Sequence, residues 1–104
     1  MTYRAILDVK DSITPIVVQF SFALDLTFGE SLSAASVTPT VYSGTDTAPS
    51  SIISGAATIA AGEVQQTVID GVEGVTYLMT CNVTTSLGNT LSRFGYLVIA
   101  PATI

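Results

Sequence analysis

The sequence predicts an all-β fold, a single antiparallel β-sandwich of about seven strands filling one domain, residues 1–104. Three observations predict it. Apolar residues recur at every second position along most of the chain, the period of a strand with one buried face, and helical spacing is hard to find. Turn residues break the alternation every ~10–15 residues. No helical stretch is long enough to cross between parallel strands, so the strands must turn back on one another.

The first element, TYRAILDV, puts Tyr3, Ala5, Leu7 and Val9 on one face and reads as an edge strand. IVVQFSFALDL is the clearest strand: Ile16, Val18, Phe20, Phe22, Leu24 and Leu26 point one way, and Val17, Gln19, Ser21, Ala23 and Asp25 the other. Pro15 opens it without removing a central ladder hydrogen bond. TFGES turns the chain around Gly29. In LSAASVTPTVY, Ala35, Val37, Pro39 and Val41 share a face, and Pro39, which has no N–H, requires an edge strand or a local irregularity. SGTDTAPSS, residues 43–51, reads as a loop. IISGAATIA is a strand interrupted at Gly55 by a bend or bulge. AAGE, residues 60–63, turns into VQQTVI, where Val64, Gln66 and Val68 oppose Gln65, Thr67 and Ile69. After the DGVEG turn, VTYLMTCNVTT and TLSRFGYLVIA form a hairpin through SLGN, where Gly88 and Asn89 can adopt left-handed backbone angles.

Composition bounds the function. Charged residues are only 11% of the chain, against about 25% in typical soluble domains. Ser and Thr, 26 of the 104 residues, must cover the surface instead. A surface so poor in charge resists association weakly, which leans toward a subunit of an assembly, a homo-oligomer. The net charge is −5, and the three basic residues, Arg4, Lys10 and Arg93, are far apart in sequence, so a nucleic-acid partner is not expected. No apolar run approaches the roughly 20 residues that cross a bilayer, so no membrane partner is expected either. The start MTYRAILDVKD lacks the charged region and apolar block of a signal peptide. A lone cysteine cannot form an internal disulfide and fits folding in a reducing cytosol.

Catalytic, cofactor-binding and metal-ligating residues are all expected to be none, and the chain is not expected to be an enzyme. It has no histidine, the commonest general base and metal ligand. Cys81, in LMTCNVT, has no neighbouring cation to lower its pKa, and reads as a small buried apolar residue. The eight acids, Asp8, Asp11, Asp25, Glu30, Asp46, Glu63, Asp70 and Glu73, are dispersed, mostly beside turns where a carboxylate is solvated or caps the backbone. Asp70 and Glu73 could meet in one loop, but DGVEG lacks the alternating Asp and Asn of a calcium loop. The sequon Asn82-Val83-Thr84 is a chance match without a secretory route. Phe94 and Tyr96, on a shared face of the last strand, read as packing rather than as a sugar platform. The alternating stripe of Tyr77, Met79, Cys81 and Val83 reads as core.

Two resemblances add to this reading. GVEGVTYLMTCNVTT resembles the corner and last two strands of immunoglobulin-like and fibronectin-III-like sandwiches. That likeness implies that the Tyr77 hydroxyl returns to the backbone of the corner formed by DGVEG. Lys10-Asp11, then Phe22 and Asp25 closing a strand, then Gly29-Glu30-Ser31-Leu32, followed by the TYxxxxxVTTSxGNTxSR hairpin, resemble the small β-sandwich virion proteins of tailed bacteriophages. These are the fiber-tail adaptor, neck and capsid-decoration proteins. Where that pattern carries a tryptophan after the aspartate, this chain has Leu26 and Phe28. The resemblance implies a non-enzymatic virion subunit, made in the host bacterial cytoplasm, whose partners are neck, tail, fiber or capsid proteins. The segments around Tyr3–Val9 and 100–104 are then expected to dock. The alternative reading is an adhesive immunoglobulin-like module that binds a cell-surface glycan or receptor through loops such as residues 43–51.

Overall fold

The computed structural model describes residues 4–100, with side chains described from Lys10 onward. Within them the chain forms seven strands: β1 (Arg4–Asp11), β2 (Ile16–Ser21), β3 (Leu32–Ser43), β4 (Ile53–Ala60), β5 (Glu63–Val68), β6 (Thr76–Thr85) and β7 (Thr90–Ala100). Two short 3-10 turns, Ala23–Asp25 and Pro49–Ile52, are the remaining regular elements. The strands make a four-stranded sheet, β1-β7-β6-β3, and a three-stranded sheet, β2-β5-β4, packed face to face as a β-sandwich.

The predicted strands are present, and their inward residues form one core. Val18, Phe20, Phe22, Val64, Val68, Tyr77, Met79, Cys81, Val83, Leu97 and Ile99 are all buried between the sheets. β5 alternates as its sequence implies, with Val64, Gln66 and Val68 inside. β3 lies at the sheet edge, which accommodates Pro39 opposite Met79. β1 is an edge strand as expected, but it runs parallel to β7, and its register shifts between Ile6 and Asp8. The extra residue breaks strict alternation along β1; the expected face of Tyr3, Ala5, Leu7 and Val9 falls outside the described side chains.

Gln66 occupies an inward position, where an unpaired amide would be costly. Its Nε2 donates to the carbonyls of Ser54, Gly55 and Thr67 at 3.1, 3.1 and 3.0 Å. The Ser54 and Gly55 carbonyls lie where β4 slips register against β5, between Ser54 and Thr58. The interruption expected at Gly55 is therefore a bulge, with φ of +72° at the glycine and a buried amide serving the carbonyls beside it.

The strand expected to run from Ile16 to Leu26 stops at Ser21. Its partner β5 begins only at Glu63, after the tight turn Ala61-Gly62, whose residues both have positive φ, 50° and 82°. The last hydrogen bond, from the Phe22 amide to the Gly62 carbonyl, is 2.9 Å long. Beyond it the ladder has no partner, and the chain folds into a 3-10 turn in which the Asp25 amide donates to the Phe22 carbonyl. Phe22 is buried, whereas Leu24, assigned to the same inward face, is 100% exposed. Asn89 departs too: Gly88 takes positive φ in the β6–β7 turn, but Asn89 does not.

Strand direction sorts the connections into two ends. Residues 22–31, the Ala61-Gly62 turn and residues 86–89 lie at the upper end; residues 12–15, 44–52 and 69–75 lie at the lower end. The contrast between Phe22 and Leu24 is testable by denaturant unfolding. Phe22→Ala should cost about 3–5 kcal/mol, as for a core phenylalanine. Leu24→Ala should change stability by less than about 0.5 kcal/mol, as at an exposed position.

Candidate functional site

Several of the acids expected beside turns, solvated or capping the backbone, are drawn into two knots, one at each end. At the lower end Tyr77, on the first inward position of β6, is completely buried. That hydroxyl accepts from the Val72 amide at 3.1 Å, the corner tie that the resemblance implied. It also donates to Asp46 Oδ2 at 2.6 Å, a partner the sequence did not reveal. Burial first, and then the hydrogen bond to Asp46, push the Tyr77 phenol up to about 12, while the Tyr77 bond and the Ala48 amide lower the Asp46 carboxyl below its usual value. Loop 44–52 is thus stapled to corner 69–75 through one phenol.

Lys10 closes the same end. It is buried, and its ammonium donates to the carbonyls of Asp11 at 2.8 Å and Asp70 at 2.5 Å. Burial lowers its pKa, with Asp11 and Asp70 opposing the shift. Asp70 and Gly71 both have positive φ, 54° and 103°, and a Cβ at Gly71 would stand 2.7 Å from Ile99 Cδ1. The lysine therefore holds a backbone conformation that side chains rarely adopt. Asp11 caps the next turn, accepting from the Ile13 and Thr14 amides at 2.8 and 2.6 Å, and these bonds lower its pKa.

At the upper end the organiser is Glu30, buried at the base of the loop that follows β2. It accepts from the Thr85 hydroxyl at 2.5 Å, Asn89 Nδ2 at 2.9 Å, the Thr27 amide at 3.0 Å and the Thr27 hydroxyl at 3.2 Å. The Thr85 hydroxyl, the Thr27 amide and Asn89, in that order, bring the carboxyl down from 4.5 to about 2. Ser31 and Ser86 exchange two further bonds, at 2.8 and 3.0 Å, between the same loops. Arg93 lies with its guanidinium carbon 5.3 Å from the centre of the Phe22 ring and pairs with Asp25. The phage-like positions Lys10, Asp11, Phe22, Asp25 and Glu30 are thus residues that fasten the loops.

Neither knot resembles a reactive centre. Cys81 is fully buried, and burial pushes its thiol up to about 12. Asp70 and Glu73 share their loop, and among the described residues no group of three His, Cys, Asp or Glu is placed to hold a metal ion. No described helix is long and apolar enough to cross a membrane. Phe94 and Tyr96 lie partly exposed on the outer face of the four-stranded sheet, where Tyr96 meets Tyr42 of β3 at a ring-centre distance of 4.7 Å. The Tyr42 partner was not foreseen. Of the expected docking segments, residues 4–9 are described in backbone alone, as part of the edge strand β1, and residues 101–104 lie outside the described residues.

Comparison with protein families bears on this architecture directly. Residues 10–97 match the family described as podophage GP4 fiber-tail adaptor protein gp77. The chain belongs to that family. The comparison with curated proteins finds no match. The matched span runs from Lys10 to Leu97 and so includes both knots, and the family is one of structural virion adaptors.

Two measurements probe the knots. Tyr77→Phe leaves the Val72 amide without its acceptor and should cost about 1–3 kcal/mol in denaturant unfolding. Glu30 has a lower pKa folded than unfolded, so its contribution is complete above about 4.5 and disappears as the pH falls toward about 2. The thermal midpoint of the wild-type protein should therefore drop across that window, and Glu30→Gln should flatten the drop while lowering the midpoint at neutral pH.

Proposed function

We propose that this chain is a non-enzymatic adaptor subunit of a phage particle, joining fiber and tail components. The family match over residues 10–97 carries the reading. The disposition of polar groups supports it: among the described residues no buried side-chain nitrogen or oxygen lacks a hydrogen-bond partner, so the interior chemistry is consumed in fastening loops. Such a sandwich offers partners rigid surfaces and no reacting group.

The sandwich acts as one immunoglobulin-like domain in this reading. The order β2-β5-β4 against β7-β6-β3, together with the tie from Tyr77 near the start of β6 to the corner before it, supports that class. The chain is made in the host cytoplasm and repeated as a homo-oligomer in the particle, with no part in binding nucleic acid or membrane. The outer face around Tyr42, Leu78 and Tyr96, partly exposed and uncharged, suits contacts between copies. The adhesive alternative would need loop 43–51 free to shape itself to a glycan, whereas Asp46 of that loop is engaged with Tyr77.

Mass spectrometry of purified particles of the encoding phage tests the assignment. The chain should be present in fixed proportion to the tail proteins, and particles lacking it should lose their fibers. A particle preparation free of the chain would overturn the reading.

A further inference from the structure

The upper end carries a feature that neither fold nor core requires. Leu24 is 100% exposed, Phe28 is 107% exposed, and Leu87, on the adjoining β6–β7 turn, is 64% exposed. Single exposed apolar side chains are ordinary, but these three belong to two neighbouring loops and stand on braced backbone. Leu24 lies inside the 3-10 turn next to Asp25, which Arg93 holds. Phe28 lies between Thr27 and Glu30, which are bonded to one another, and Glu30 ties that loop to Thr85 and Asn89 on either side of Leu87. Ordering these side chains' backbone in advance removes much of the entropy that a partner would otherwise have to overcome.

Beside Phe28 lies a hollow of about 370 Å³, lined by Ala23, Leu26, Phe28, Glu30, Ala61 and Gly62. Thr27 and Ser31 complete its wall, which is apolar for the greater part and carries one charged residue, Glu30, whose four hydrogen bonds all come from uncharged donors and leave its charge intact. Glu63 adds a second carboxylate next to the Ala61-Gly62 turn. Of the described cations, Lys10 is buried at the lower end and Arg93 is held by Asp25. The tip therefore presents exposed apolar side chains beside a hollow with acidic residues at its rim.

We propose that this tip docks a segment of another virion protein, one presenting a bulky apolar side chain flanked by lysine or arginine. The apolar side chain enters the hollow against Phe28 and Leu26, and the cation answers Glu30 and Glu63. A second copy of this chain is the poorer occupant, because its net charge is −5 and like-charged tips repel. The inference rests on the virion-adaptor reading and goes beyond it in naming the surface and the chemistry of its partner.

The test compares particles carrying the wild-type chain with particles produced with Phe28→Ser or Leu24→Ser. Both variants should keep the wild-type unfolding midpoint as isolated proteins, since the removed side chains face solvent. Incorporation should nevertheless fall about tenfold or more, as for loss of an anchor at an interface centre. Variants that enter particles at the wild-type level would overturn the docking tip while leaving the adaptor reading intact. Absence of the wild-type chain itself would overturn both. Zero-length carbodiimide coupling in wild-type particles should join Glu63, the more accessible of the two carboxylates, to a lysine of a different virion protein. Self-association of the isolated chain that Phe28→Ser abolishes would overturn the proposed partner in favour of a second copy. Failure to couple at Glu63 would overturn the basic flank.

Discussion

The inward row of β6 holds the sandwich together along its length and at both ends. That row reads Tyr77, Met79, Cys81, Val83 and Thr85, on the strand lying between β3 and β7. Its middle members are wholly apolar and fill the space between the sheets. Its first and last members each deliver a hydroxyl to a carboxylate from a distant loop, Tyr77 to Asp46 and Thr85 to Glu30. A β-sandwich can bury its strands and still leave its loops loose; here the same strand that fills the core also fixes the loops at each end. Charge-assisted hydrogen bonds from hydroxyls are stronger than neutral ones, which suits them to this duty in a chain with only three basic residues.

Much of this fold could be read from local period, and the part that could not depends on pairing. β5, β6 and β7 were legible because their buried and exposed residues alternate without interruption. IVVQFSFALDL alternates just as well, yet its strand ends at Ser21, because the Ala61-Gly62 turn determines how far β5 extends to meet it. Nothing in the eleven residues of that stretch records the length of a neighbour more than 40 residues away. The parallel course of β1 beside β7 was hidden for the same reason: alternation shows a face, never a partner or a direction.

The polar residues were harder still. Asp46 and Glu30 stood in the sequence as ordinary turn acids, and their hydroxyl partners lie 31 and 55 residues away. A local sign did exist for Glu30, since Thr27-x-x-Glu30 has the spacing in which a carboxylate reaches back to an amide three residues earlier. Asp11 and Thr14 show the mirror arrangement. The phage-like motif was therefore informative in a physical sense: most of its residues brace turns, and a family can vary its surface widely while keeping such braces. Gln66 and Arg93 gave no sign beyond their presence, because a buried amide is explained only by the bulge it serves and a guanidinium only by the ring and carboxylate it lies between.

Cys81 has a use that its inert chemistry provides. It is the chain's single thiol, placed at the centre of the middle row and shielded on all sides. A maleimide dye cannot reach it until the two sheets separate, so the rate of labelling measures how often a copy opens. In an intact particle the same thiol becomes a tally of folded copies, counted without a tag and without disturbing any surface through which the chain meets its neighbours.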